Sequence, residues 1–290
     1  MQAVRLRTFA KVNYALDVLG LRADGYHEVG TVMQSISLAD EVELRRSTGG
    51  FDLSLEPEEA EIGPQESNST YLAWKALQRL VGKELPVKIT LRKEIPAGAG
   101  LAGGSADAAA VLVGLNELFG LGLQAGELRE ASVTIGADVP FCISGGTALG
   151  EGVGEILTPL PAPPAHRLVV AKPLRSAETA KIYHAFDEAR TKSTRAVEPV
   201  VSALRSGSLP ALAAYIGNDL APVTKALVPE VAELEQSLLA SGALGASMSG
   251  SGTAVFGIFD DAETAGIAKD KVDAPFTGVY GPVFRGVEIV

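Results

Sequence analysis

The stretch P-V-K-I-T-L-R-K-E-I-P-A-G-A-G-L-A-G-G-S-A-D-A-A-A-V-L-V-G-L-N-E-L-F, Pro86–Phe119, decides the fold. Alternation through Val87, Ile89 and Leu91 predicts a strand, and Pro96 stops it. A glycine-rich run from Ala97 to Gly104 follows, then an Ala-rich segment from about Ser105 to Phe119 that predicts a helix. In a strand, glycine loop, helix unit, glycines let backbone N–H groups converge on an anion. The helix start adds unsatisfied N–H groups and the positive end of its dipole. A phosphate site is the functional expectation. A structural turn capped by Ser105 is the alternative these residues alone leave open.

Gly98, Gly100 and Gly103 also fit G-x-G-x-x-G. A dinucleotide fold would need a second β-rich strand ending in an acidic residue. The chain instead continues G-L-G-L-Q-A-G-E-L-R-E after Phe119, with helix and turn character. No Gly-Lys-Ser/Thr follows the loop, so it is not a Walker A motif.

Outward from this unit, Val4 to Leu55 alternates and predicts several antiparallel strands. Asn68 to Val81 has helical spacing ending at Gly82, and a second helix is expected near Ala125 to Ile135. Gly136 to Phe141 is expected to be a turn, followed by β structure through Thr147 to Leu157. L-P-A-P-P-A-H, Leu160–His166, resists regular structure and places a domain boundary, giving residues 1–160 and 161–290. The second part is a mixed unit, with a strand in R-L-V-V-A-K-P, several helices, and the glycine cluster S-M-S-G-S-G-T, Ser247–Thr253, between two β stretches.

Composition narrows the classes. The chain has 290 residues, 47% hydrophobic, enough for a sizeable core. One cysteine and three histidines exclude an internal disulfide and a multi-thiolate zinc site, and suit a reducing, cytoplasmic setting. No apolar run reaches the roughly 18 residues of a membrane span, and the first 30 residues lack a signal-peptide core. With 25 Lys plus Arg against 35 Asp plus Glu, the net charge of −10 argues against sequence-blind nucleic-acid binding. Attraction for an anionic ligand must be local.

Three further places carry polar groups in apolar or glycine-rich settings. Lys11 and Asn13, in F-A-K-V-N-Y-A-L, share one strand face by period-two alternation. Asp138 lies in G-A-D-V-P-F, and the Ser247–Thr253 cluster offers more backbone donors. Taken singly, each has a bland reading as surface cation, turn former or hairpin loop.

Taken together and in this order, the segments resemble the GHMP kinase superfamily. The loop Pro96–Ala106 is similar to its phosphate-binding motif, and G-A-S-M-S-G-S-G-T-A, Gly245–Ala254, to its C-terminal glycine motif. A-K-V-N-Y-A-L, R-A-D-G-Y-H-E-V, G-A-D-V-P-F and E-G-V-G-E-I-L narrow the resemblance to the branch acting on 4-diphosphocytidyl-2-C-methyl-D-erythritol. The resemblance implies a two-domain α+β fold, with a ribosomal-protein-S5-like N-terminal domain and a ferredoxin-like C-terminal domain. It implies transfer of the ATP γ-phosphoryl group to the substrate's 2-hydroxyl in the non-mevalonate route to isoprenoids, with Mg²⁺ accompanying ATP and no metal ligands assigned. The partners implied are these small molecules, with no nucleic acid and no membrane.

The same resemblance assigns roles to residues. Lys11 and Asp138 are catalytic. The residues holding ATP are Pro96, Ala97, Gly98, Ala99, Gly100, Leu101, Ala102, Gly103, Gly104, Ser105 and Ala106, with Asn68 near the adenine. Tyr26 stacks on the cytosine, His27 bonds its edge, Tyr183 covers its other face and Asn13 meets the polar chain. Lys172, Asn218 and Asp219 are placed at the substrate's border, with a helix cap as the alternative for the last two. Ala102 stands where the family often has Gly, so it is expected to avoid positive φ. Asp107 is expected to face away from the nucleotide or to contact Mg²⁺.

Overall fold

A computed structural model describes residues 1–56, 67–189 and 193–290. Its backbone begins with two long strands, β1 (Ala3–Leu21) and β2 (His27–Arg46), paired antiparallel along nearly their whole length. Three register shifts, the first between Phe9 and Lys11, bend the pair. β3 (Phe51–Glu56) joins the sheet through β4 (Val87–Arg92), and that pairing is parallel, against the expectation of antiparallel strands throughout this region. The reason is topological: α1 (Ser69–Val81) lies between the two strands as a crossover.

Both ends of α1 follow local chemistry. Asn68 Oδ1 accepts from the Thr70 amide at 2.8 Å, and Gly82 closes the helix in the left-handed region at φ 63°. α2 (Gly103–Phe119) then packs on β1, β2 and α1. Ala106, Ala108, Ala109 and Ala110, all fully buried, let its backbone approach the sheet closely. α3 (Ala125–Ser132) and the short α4 (Val139–Ser144) follow, so Gly136–Phe141 is not a plain turn: Asp138 stands at the N-terminal position of a helix, without a side-chain capping bond, and Pro140 lies in its first turn.

β5 (Thr147–Glu151) pairs with β2 and with β6 (Ile156–Pro159). Residues 160–166 carry no strand or helix, as their prolines require. Beyond them, β7 (Arg167–Lys172), β9 (Gly245–Met248), β10 (Val255–Phe259) and β11 (Phe276–Tyr280) form a second, antiparallel sheet in the order β11-β7-β10-β9. The helices of this half are α5 (Thr179–Ala189), α6 (Val197–Ser206), α7 (Leu209–Tyr215), α8 (Ala221–Leu227), α9 (Glu230–Ala240) and α10 (Ala262–Lys271).

The two halves are sewn together. β8 (Gly217–Asn218) pairs with the middle of β1, and β12 (Val287–Ile289) pairs with its start. One core cluster holds the first sheet, α1, α2 and residues from α6 and α7. A second gathers Leu16 and Val18 of β1 with α5, α8, α9, α10 and the outer face of the second sheet. The middle of β1 is therefore buried on both faces, which makes polar residues there informative.

Candidate active site

Lys11 and Asn13 lie in that doubly buried stretch, only 3% and 2% exposed. A lysine so placed must spend its hydrogens on acceptors. Its Nζ donates to Asn13 Oδ1 at 2.8 Å and to the Gly100 carbonyl at 3.1 Å. Asp138 Oδ2 stands 3.5 Å from the same nitrogen, an ion pair longer than a hydrogen bond, and its carboxylate is about one-third exposed at 35%. Asp138 is thus held in place by charge while its oxygens remain open to a ligand.

The loop from Pro96 to Ser105 curls beside this pair along a cleft of ≈ 1020 Å³. A Cβ at Gly100 would lie 2.1 Å from the Ser249 carbonyl oxygen, and its φ is 73°, so this position requires glycine. The close approach lets Ser249 Oγ donate to the Gly100 carbonyl at 2.8 Å, and Asn13 N donates to Ser249 Oγ at 3.3 Å. The C-terminal glycine cluster therefore clasps the first glycine loop to the lysine strand. Asn218 extends the clasp, donating to the Met248 and Gly250 carbonyls at 2.9 and 2.8 Å.

Ala102 departs from expectation. Its φ of 60° places it in the left-handed region. Leu101 is buried in the core, and the chain must reverse there so that the Ala102 carbonyl can accept from Ala106 N at 2.8 Å and start α2. Ala106 is a second correction. It is fully buried, its amide is spent on Ala102, and it lies in the core instead of lining the cleft. The first N–H groups of α2, at Gly103, Gly104 and Ser105, have no acceptor within the helix and border the cleft.

Asp107 turns toward Lys93. Lys93 Nζ donates to Asp107 Oδ2 at 2.7 Å and also to Asp40 Oδ2, while Asp40 Oδ1 accepts from the amides of Glu94 and Ile95 at 2.6 and 2.8 Å. Asp107 Oδ1 is buried without a hydrogen-bond partner. Burial pushes this carboxyl up, against the Lys93 charge and with the help of Asp40, to about 8. The same surroundings leave the Lys93 ammonium raised, the two carboxylates outweighing its burial.

At the other end of the cleft, the β1–β2 turn is set by Asp24, whose Oδ1 accepts from Tyr26 N at 3.1 Å, and by Arg22, whose Nη1 reaches Glu28 at 2.9 Å. Tyr26 is 66% exposed at the mouth. His27 stacks on Tyr183, ring centroids 4.7 Å apart and planes at 29°, and its Nε2 lies 2.9 Å from Asp187 Oδ1. In this structure, then, one face of Tyr183 already carries His27. Burial, with the nearby Asp138 charge, pushes the Tyr183 hydroxyl up to about 12.

The structure brings Lys11, Asn13, Tyr26, His27, Asn68, Asp138 and Tyr183 into one cleft with the glycine loop. It does not bring in Lys172, Asn218 or Asp219. Lys172 Nζ donates to the Pro173 carbonyl at 3.0 Å, and Asp219 accepts from Val18 N and Thr194 N at 2.8 and 2.7 Å. These are structural ties. Missed from sequence were Thr31, Ser249, Lys93, Asp40 and Asp187; of these Ser249 lies in the second glycine motif and Lys93 in the strand that leads into the first.

A family model described as GHMP kinases N terminal domain matches residues 68–146, and one described as GHMP kinases C terminal matches residues 200–278. A 4-diphosphocytidyl-2-C-methyl-D-erythritol kinase of Moorella thermoacetica is 45% identical over 269 residues, covering 91% of this chain and 93% of the relative. The chain belongs to this kinase family. A relative of the same name from Pelotomaculum thermopropionicum is 46% identical over 257 residues, 88% of this chain and 89% of that one. The crystal structure of a 4-(cytidine 5'-diphospho)-2C-methyl-D-erythritol kinase superposes with a TM-score of 0.78 at 33% identity, covering 96% and 99% of the two chains. A homoserine kinase from Cytophaga hutchinsonii reaches 0.80 at 20% identity over 100% and 98%, a likeness of fold alone. The GHMP kinase family places ATP as phosphoryl donor. Among the described residues, no helix is long and apolar enough to cross a membrane.

Proposed function

We propose that this protein transfers the γ-phosphoryl group of ATP to the 2-hydroxyl of 4-diphosphocytidyl-2-C-methyl-D-erythritol, giving the 2-phosphate and ADP, a step of the non-mevalonate route to isoprenoid precursors. The observation that carries the reading is the Lys11–Asp138 pair, 3.5 Å apart, set beside the Gly100 turn of the glycine loop. Phosphoryl transfer asks a protein chiefly for positioning and charge. The open N–H groups of Gly103, Gly104 and Ser105 receive the ATP phosphates. The hydroxyl oxygen attacks the γ-phosphorus as the bond to the β-phosphate oxygen breaks; Asp138 accepts the hydroxyl proton, and Lys11 offsets the charge on the transferred oxygens.

Tyr26, His27 and Tyr183 form the cytosine end, Tyr26 and Tyr183 offering ring faces and His27 a polar edge, while Asn13 borders the erythritol chain. Asn68, at the cap of α1, borders the adenine. Mg²⁺ enters with ATP as its counter-ion. The residues present do not build a cage for it. No group of three or more His, Cys, Asp or Glu able to hold a metal occurs among the described residues, and Asp107 is engaged by Lys93. We divide the chain at residue 160 into a lobe bearing the glycine loop and Asp138 and a lobe bearing the second sheet. We place the protein in the cytoplasm, a reducing compartment that suits its single buried thiol, Cys142.

The test is ADP release with Mg·ATP and four acceptors: the cytidyl compound, methylerythritol phosphate, homoserine and mevalonate. Turnover confined to the first is expected. Turnover of homoserine or mevalonate would overturn the cytosine end, and silence on all four despite ATP binding would overturn the kinase reading.

A further inference from the structure

Lys11 depends on which way one amide faces. A carboxamide turned by half a revolution exchanges an acceptor for a donor, and only Oδ1 of Asn13 serves an ammonium, which can do nothing but donate. The neighbour that decides lies on β2. Asn13 Nδ2 donates to Thr31 Oγ1 at 2.8 Å, and Thr31 Oγ1 donates in turn to the Ala15 carbonyl at 2.8 Å. A carbonyl can only accept, so the single hydroxyl proton of Thr31 is committed to it. What remains toward Asn13 is an accepting oxygen, and that selects the NH₂ end of the amide. Oδ1 is thereby turned to Lys11 Nζ, 2.8 Å away.

We infer that Thr31 is a positioning residue for phosphoryl transfer: its hydroxyl fixes the Asn13 amide in the one orientation that holds the Lys11 ammonium beside Asp138. Thr31, Asn13 and Lys11 are 3%, 2% and 3% exposed, so water has no ready access to replace a missing partner. Ser249 does not make the choice. Its Oγ lies 3.3 Å from Asn13 Oδ1, but its single proton goes to the Gly100 carbonyl at 2.8 Å, so it holds no committed donor toward that oxygen. Without the Thr31 hydroxyl, the buried NH₂ group loses its acceptor, the amide is held from the Lys11 side alone, and the ammonium loses the fixed partner that sets its place between Gly100 and Asp138. The activity arm of this inference rests on the kinase reading; the hydrogen-bond arm does not.

The experiment compares wild type with Thr31→Val, which keeps the shape and loses the hydroxyl, and Thr31→Ser, which restores it. In ¹⁵N-labelled protein, the Asn13 side-chain NH₂ signals, identified by their loss in Asn13→Asp, should exchange slowly with water in wild type and Thr31→Ser and quickly in Thr31→Val. With ATP and the cytidyl acceptor, Thr31→Val should lower kcat by about 10-fold or more, since a displacement of order 1 Å in a reacting group costs up to about 10²-fold. Both KM values should stay within about 2-fold, and Thr31→Ser should recover most of the loss. Unchanged amide exchange in Thr31→Val would overturn the inference, as would wild-type kcat in that variant. A loss of kcat matched by a comparable fall in Tm and not recovered by Thr31→Ser would reduce Thr31 to a packing residue and also overturn it. If wild type itself turns over no acceptor, the kinase reading falls, and the exchange data still decide whether Thr31 orients Asn13.

Discussion

Two lysines flank the glycine loop, and they are used in opposite ways. Lys93 meets Asp107 at 2.7 Å and Asp40 closer still, with Asp40 wholly buried and its second oxygen filled by two amides. Lys11 faces a single carboxylate at 3.5 Å, and that carboxylate is 35% exposed. The first cluster is closed: its charges satisfy one another and hold the β4 end, the loop and the first turn of α2 together. The second is open, with a buried cation fixed by Asn13 and Gly100 and a carboxylate left available. Residue types alone do not separate structure from chemistry; the degree of saturation does.

The largest expected effect tests the closed cluster. Lys93→Met leaves the buried Asp40 carboxylate and the Asp107 carboxyl without their cation and should destabilise the fold by ~3–5 kcal/mol, read as a lowered denaturation midpoint. A stability unchanged within error would show that the cluster is not closed in solution. Next, Asp138→Asn should cut turnover on the order of 10²-fold or more with ATP binding retained, and near-normal turnover would remove Asp138 from the chemistry.

Asp107 sharpens the contrast through pH. Its folded pKa, about 8, lies above that of a free carboxyl, so the native state holds a proton that the unfolded chain releases. Between about pH 4 and pH 8, therefore, this group makes stability fall as pH rises, with its share fully lost above that range. Asp107→Asn should remove that slope, so that the Tm difference between variant and wild type widens in the variant's favour from pH 5 to pH 8. Parallel curves would contradict the assignment. The smallest effect concerns Ala102 at φ 60°. Ala102→Gly should stabilise by less than about 1 kcal/mol, the left-handed cost of ~1–2 kcal/mol reduced by the extra unfolded-state freedom of glycine; calorimetry showing a loss would place the strain elsewhere.

The sequence revealed most where a local rule governs. Asn68 capping α1, Gly82 ending it, the prolines at 160–166 and the loop between β4 and α2 all follow from neighbours a few residues apart. The parallel pairing of β3 with β4 had no local mark, since parallel and antiparallel strands share one alternation. Ala102 was misjudged because its φ is imposed by the burial of Leu101 and the start of α2, a demand of packing that overrides intrinsic preference. In the candidate site, Lys11, Asp138 and His27 were legible through the motifs that contain them. Thr31, Asp40 and Lys93 were not, because their roles arise from contacts 14 to 55 residues apart on adjoining strands, loops and a helix. A threonine or aspartate in an alternating strand carries no signal of what will face it.

The most direct test of the contrast is to measure turnover and Tm together for Lys11→Met and Lys93→Met. Opposite rankings are expected: Lys11→Met loses turnover on the order of 10²-fold with the smaller fall in Tm, and Lys93→Met shows the larger fall in Tm while its folded fraction keeps the greater turnover. If Lys11→Met is the less stable of the two, or if Lys93→Met is the less active while fully folded, the division between an open catalytic pair and a closed structural one is wrong.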